Sequence, residues 1–144
     1  LLMTYIGYHY MGFESAVIKK IPQKVTNNPI VISKVVSVYD GGTFRVDING
    51  YPDIIGKNIP IRVNAIDTPE IKGQCDYEKQ LAIKAKYFTS ALLSGGIVEL
   101  RNAERGKYFR IAADVYVDGV SLGNSLIDAG LAYKYDKKKD WCEK

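Results

Sequence analysis

Hydrophobic periodicity changes twice along this chain, and the order of the changes leaves few folds open. Strand-like runs occupy the stretch up to residue 66, a helical period takes over at 76–94, and strand-like runs return to residue 117. "TFRVDI" (43–48) sets Phe44, Val46 and Ile48 on one face and Arg45 and Asp47 on the other. "IPIRVNAI" (59–66) repeats this, with Ile61, Val63 and Ala65 opposite Arg62, Asn64 and Ile66. "VTNNPIVISKVVSVYD" opens on turn residues and becomes β-branched, which predicts a strand over about 30–39. The three runs read as an antiparallel meander.

In "DYEKQLAIKAKYFTSALLSGG", Leu81, Ala85, Phe88 and Leu92 recur at helical spacing, Asp76 is placed to cap, and Gly95-Gly96 to stop the helix. "IVELRN" and "RIAADVYVDG" give two further strands around the charged turn "AERGKY". "SLGNSLIDAGLA" predicts a short helix between Ser121 and Gly130, and the tail "YKYDKKKDWCEK" has no clear period. Strands in the order three, helix, two, helix predict an α+β, mainly β fold. The expected form is a five-stranded Greek-key barrel of the OB type with two or three helices.

A chain of 144 residues fits one such domain, taken here as 28–144. Residues 1–27 form an apolar, aromatic extension, with no charge in "LLMTYIGYHYMGF" before Glu14. It is too short to span a membrane and lacks the basic start of a complete signal peptide. A leader remnant, an added segment and a piece packed on the domain all stay open, as does a role in anchoring or self-association.

With one histidine, His9, and two cysteines, Cys75 and Cys142, the chain cannot build a zinc site of the usual kind. A Ser-His-Asp triad would have to draw on the N-terminal segment. Catalysis, if present, falls to carboxylates, arginines and a hard cation. The net charge of +4 permits a polyanionic partner without requiring one. The cysteines stand 67 positions apart, either as free thiols or as a bridge. A bridge would contribute about 4 kcal/mol on the chain-entropy model and imply an oxidising compartment.

The densest functional chemistry is "RVNAIDTPE" (62–70). Pro69 holds Thr68 extended and ends the strand, leaving the Asp67 carboxylate, the Thr68 carbonyl and the Glu70 carboxylate at one rim. Oxygen donors of that kind suit a hard cation such as Ca²⁺, and Glu70 is spaced to orient or deprotonate a water. A polar turn with a solvated acid pair is the bland alternative. "RGKYFR" adds Arg105, Lys107 and Arg110 at a hairpin. Arg62 and Arg110 stand at strand positions where a guanidinium fork suits phosphate, though each also suits a rim ion pair.

Taken together, "VVSVYDGGTF", "IRVNAIDTPE", "KYFR" and "LIDAGLAYKY" resemble the staphylococcal nuclease (thermonuclease) family over about residues 30–135. The resemblance implies an OB-fold nuclease that uses Ca²⁺ to cleave DNA and RNA to 3′-phosphates, with no organic cofactor and as a monomer. It implies Asp67 and the Thr68 carbonyl as calcium ligands, Glu70 as the general base, and Arg62 and Arg110 as a phosphate clamp. Lys107, Tyr108, Tyr133 and Tyr135 would line the nucleotide site, although tyrosines covering a barrel edge would read the same. An exported or periplasmic setting is slightly favoured over a cytoplasmic one.

Two departures stand out. The family reads Asp-Gly-Asp-Thr where this chain reads Asp40-Gly41-Gly42-Thr43, so Gly42 occupies the position of a metal carboxylate. Asp40 is left to reach an ion weakly, through water. The family also continues past "YKY" into a long helix that "KKKDWCEK" is too short to replace; a Cys75–Cys142 bridge would pin the tail in its stead. Two classes of function follow: a metal-dependent nuclease with activity reduced by Gly42, or a catalytically inactive OB-fold module that binds nucleic acid or protein. Retention of Arg62, Glu70 and Arg110 favours the enzyme.

Overall fold

The computed structural model describes residues 28–137 and 139–143. The N-terminal extension 1–27, and with it His9, lies outside the described residues. The strands are β1 (Ile30–Val31), β2 (Lys34–Asp40), β3 (Thr43–Asp47), β4 (Ile59–Val63), β5 (Ile66–Asp67), β6 (Val98–Arg105), β7 (Ile111–Val117), β8 (Val120–Ser121) and β9 (Tyr133–Lys134). The helices are α1 (Asp53–Gly56), α2 (Asp76–Ser94) and α3 (Leu122–Asp128).

β2, β3 and β4 pair antiparallel in sequence, the expected meander. β4 then pairs parallel with β7, β7 antiparallel with β6, and β6 antiparallel with β1. Only Ile32 and Ser33 separate β1 from β2, and their amides part company. Ile32 donates to the Val98 carbonyl (2.9 Å) and Ser33 to the Asp47 carbonyl (3.0 Å). One continuous stretch thus serves both edges of a seven-stranded sheet, β8 being added on β7, which curls as a Greek-key barrel of OB type with three helices among the described residues. The expected five strands are recovered when β1 and β2 are counted as one and β8 is set aside. The run expected as one strand over 30–39 is two because it must bend between two partners.

The barrel interior holds Phe44, Val46, Ile61, Leu100 and Val115, all essentially inaccessible, with Leu122 and Leu126 of α3 sealing one end. α3 begins where Ser121 Oγ accepts the Asn124 amide and stops before Gly130 at φ +73. α1 is a single turn inside "NGYPDIIGKN", opened by Pro52. No helix among the described residues is long and apolar enough to cross a membrane.

α2 departs from expectation in two respects. Its cap is Cys75, whose Sγ accepts the Glu78 amide at 3.5 Å, rather than Asp76. Its deepest stripe is Glu78, Ala82, Ala85, Thr89 and Leu93, one position along from the expected Leu81, Phe88 and Leu92, which are half-buried. The cause is the β2–β3 turn. A Cβ on Gly41 would lie 2.8 Å from the Ala85 Cβ, so small residues must face each other there. Thr89 Oγ1 then reaches the Gly41 carbonyl at 2.8 Å and fixes the turn to the helix.

Candidate active site at the barrel rim

The β2–β3 turn presents Asp40 and Gly42 to the rim. Asp40 Oδ1 accepts the Gly42 amide at 2.9 Å, a side-chain turn bond that sets the direction of this carboxylate. Gly42 is buried and has no positive φ, so its backbone does not require glycine. What occupies the place of a side chain is Arg62. A Cβ built on Gly42 would fall on Arg62 Nη1 and lie 3.3 Å from Thr68 Oγ1. The guanidinium, projecting from β4, donates to the Gly42 carbonyl (3.2 Å) and the Ile66 carbonyl (3.1 Å). In the position where the resemblance implies a carboxylate, this chain holds a cation.

Residues 67–70 form the next wall. Thr68 and Pro69 are buried, Asp67 is half-buried and Glu70 is exposed, which suits a group that must meet solvent and substrate. Glu70 is held through its backbone. The carboxylate of Glu78, 8% exposed, accepts the amides of Glu70 (3.3 Å) and Gln74 (2.8 Å) from the first turn of α2. A carboxylate at a helix N-terminus is stabilised by the helix dipole, and here it ties the Glu70 loop to that helix. Sequence reading missed Glu78; the signal was its place three residues after the cap, the spacing of a capping box.

The tail supplies the third wall, pinned by the Cys75–Cys142 bridge that the sequence left as one of two alternatives; the part of Trp141 in it was missed. Trp141 is 7% exposed, stacks on Tyr133 at 4.2 Å between centroids, and donates its Nε1–H to Asp67 Oδ2 at 3.2 Å. Tyr133 is in turn the register partner of Asp67 across the β5–β9 ladder. Cys142 is bridged to Cys75, the cap of α2. Between tail and loop lies a cleft of about 320 Å³ lined by Asp67, Thr68, Glu70, Gln74, Glu78 and the tail residues 139–141.

The basic residues are distributed more widely. In the β4–β7 register Arg62 pairs with Ala112, and Arg110 precedes Ala112 by two residues. Strand geometry therefore sets the Arg62 and Arg110 backbones roughly 8 Å apart on neighbouring strands. Lys107 and Tyr108 lie at an exposed hairpin tip, with Tyr108 (92% exposed) and Phe109 both at positive φ and Arg105 over the Phe109 ring. Tyr135 lines a separate cavity of about 470 Å³ with Asn64, Ala65 and Asp114. The rim thus gathers Asp40, Gly42, Arg62, Asp67, Thr68 and Glu70, with Tyr133 behind Trp141. Tyr108 and Tyr135 stand apart.

The rim donors are oxygens, the chemistry a hard divalent cation prefers. Among the described residues, however, the group of three ligand-type side chains that converges within 4.8 Å is Cys75, Glu78 and Cys142, two of which form the disulfide. Asp40, Asp67 and Glu70 do not converge in that way. The donor set fits a cation held by few protein charges, with water completing its shell.

Comparison with known proteins bears on the same residues. The chain is 34% identical over 96 residues to the SPbeta prophage-derived endonuclease YokF of Bacillus subtilis (strain 168), covering 65% of this chain and 30% of that protein. It is 33% identical over 96 residues to Endonuclease YncB of the same organism, covering 65% and 43%. The chain therefore spans less than half the length of these curated relatives. A family model described as "Staphylococcal nuclease homologue" matches residues 60–144, a span that takes in Arg62, Asp67, Thr68, Glu70 and Arg110 and begins after the Gly42 turn. On that match, over more than half of its length, the chain belongs to the staphylococcal nuclease homologue family.

Proposed function

We propose that this chain is a metal-dependent nuclease domain that hydrolyses phosphodiester bonds of DNA, and of RNA where the strand fits the same rim. The observation that carries the reading is the gathering of Asp67, Thr68 and Glu70 around one open cleft, with the Arg62 guanidinium held to the Ile66 carbonyl next to Asp67. Glu70, exposed and backbone-anchored, takes a proton from water as the oxygen attacks phosphorus. The bond from phosphorus to the 5′ oxygen breaks, that oxygen takes a proton from solvent, and the phosphate stays on the 3′ side. Arg62 and Arg110 donate to the phosphoryl oxygens as their charge grows, and each such donor is worth on the order of 10²–10³ in rate.

Asp67 and the Thr68 carbonyl would hold the cation, with Asp40 assisting through water; calcium is the ion proposed first. Bound there, the ion would supply further positive charge to the phosphate. Gly42 removes one charged ligand, so metal binding and activity stand below those of a site with a carboxylate at that position. The Cys75–Cys142 bridge supports an oxidising, exported setting.

A second reading, a non-catalytic nucleic-acid-binding module, draws on the Arg62 guanidinium filling the Gly42 position. Incubation of supercoiled plasmid, single-stranded DNA and RNA with Ca²⁺, Mg²⁺, Mn²⁺ or EDTA separates the two. The nuclease reading expects metal-dependent cleavage to 3′-phosphate ends. Tight binding without cleavage under every metal would favour the module.

A further inference from the structure

The tail walls the cleft with one side chain whose polar atom has a specific target. Trp141 is the single tryptophan of the chain and is almost wholly buried. Burial of the indole is satisfied by the Tyr133 stack, yet its Nε1–H is spent on Asp67 Oδ2 rather than on a backbone carbonyl. Buried indole N–H groups find a partner, and this one is a charged carboxylate 74 residues away in sequence. The segment is fastened at the adjacent residue. Cys142 is bonded to Cys75, which caps α2, and the Cys142 sulfur lies 3.7 Å from Glu78 Oε2. Glu78 in turn holds the amide of Glu70. Two connected fixings therefore run from one short tail segment, one to Asp67 and one to the loop of Glu70.

We propose that Trp141 is a positioning residue for the Asp67 carboxylate, and that the Cys75–Cys142 bridge is the clamp that keeps it there. The inference rests on the reading of Asp67 as a metal ligand. By donating to one carboxylate oxygen, the indole restrains the rotation of the group at the wall of the cleft. Outer hydrogen bonds of this kind to a ligating carboxylate are typically worth about 10–100-fold in metal affinity or activity. With Gly42 contributing no charge, the site depends more heavily on how well this carboxylate is oriented. The tail is thereby a structural wall of the site and sets its affinity for the cation.

The test uses the whole oxidised chain labelled with ¹⁵N, in which the single tryptophan gives one indole N–H resonance. Asp67→Ala is expected to move that resonance upfield. Reduction of the folded protein with a phosphine, which converts the bridge to two thiols, is expected to move it toward the position of a solvent-exposed indole. Trp141→Phe keeps an aromatic ring against Tyr133 and removes only the donor. Its calcium dissociation constant by calorimetry is expected to rise about 10-fold, with the melting temperature in the absence of calcium close to that of wild type. A merely structural tryptophan would instead lower melting temperature and saturated rate together, leaving the calcium constant in place.

An indole resonance indifferent to Asp67→Ala, or a calcium constant unchanged in Trp141→Phe, overturns the proposal. If the wild type binds no calcium and cuts nothing while the indole still responds to Asp67→Ala and to reduction, the nuclease reading fails and the contact between tail and Asp67 stands.

Discussion

Gly42→Asp is the substitution that most sharply separates the roles assigned to the rim. Gly42 has no positive φ, so an L side chain meets no backbone penalty. Its only severe clash is with the Arg62 guanidinium, the mobile end of a long side chain. Moving it sacrifices two charge-assisted hydrogen bonds, to the Gly42 and Ile66 carbonyls at 3.2 and 3.1 Å. Bonds to a charged group are worth about 1.5–3 kcal/mol each, most of which an ion pair between the displaced guanidinium and the new carboxylate returns. The variant without metal should therefore melt close to wild type. With metal, the added charged ligand should tighten calcium about 10–100-fold, or about 1.4–2.8 kcal/mol. At calcium well above both dissociation constants, that difference appears as extra stability of the variant, a rise of roughly 3–11 °C in melting temperature relative to wild type. Calorimetric titration and thermal melts with and without calcium read both quantities. Equal or weaker calcium binding by the variant would refute the claim that position 42 faces the cation, and with it the account of reduced metal affinity.

Other outcomes follow from single contacts. Glu78→Ala removes the acceptor of the Glu70 and Gln74 amides and should lower stability by about 1–3 kcal/mol, measured by urea unfolding. It should also slow cleavage at saturating calcium, because the Glu70 loop loses its anchor. Thr89→Val leaves the buried Gly41 carbonyl without its 2.8 Å partner; a loss of about 1–2 kcal/mol in the same assay is expected. Phe44→Ala empties the centre of the barrel, where Phe44 is wholly inaccessible, and should cost about 3–5 kcal/mol. Arg62→Lys keeps the charge but not the fork that spans two carbonyls, and should lower the single-turnover rate at saturating calcium about 10²-fold.

The parts of this molecule that sequence made legible are those governed by short-range pattern. Alternation in "TFRVDI" and "IPIRVNAI" places Phe44, Val46, Ile61 and Val63 inside the barrel, where they are found. It fails at the end of the second run, where a turn at Ala65 (φ +59) leaves that residue exposed and buries Ile66 instead. Pro69 follows the end of the strand, Asp67, Thr68 and Glu70 line one cleft, and the helix 76–94 ends at its glycines. What stayed hidden depends on partners far along the chain. The bend at Ile32–Ser33 exists because Val98 and Asp47 compete for adjacent amides. Cys75 displaces Asp76 as the cap of α2, although its bridge to Cys142 was one of the two alternatives the sequence left open. The tail has no period of its own, so nothing local marks Trp141 as the neighbour of Asp67. Nor does "DGGTF" disclose that the space beside Gly42 is filled by an arginine 20 residues on.

The central claim is that the rim around Glu70 carries out phosphodiester hydrolysis with a divalent cation. It is tested most directly by single-turnover cleavage of an end-labelled single-stranded DNA in saturating calcium, with binding followed by anisotropy, for wild type and Glu70→Gln. The account expects the two to bind the strand alike, EDTA to stop cleavage by wild type, and Glu70→Gln to cut about 10²–10⁴-fold more slowly. Cleavage by Glu70→Gln at the wild-type rate, or wild-type cleavage that persists in EDTA, would contradict it.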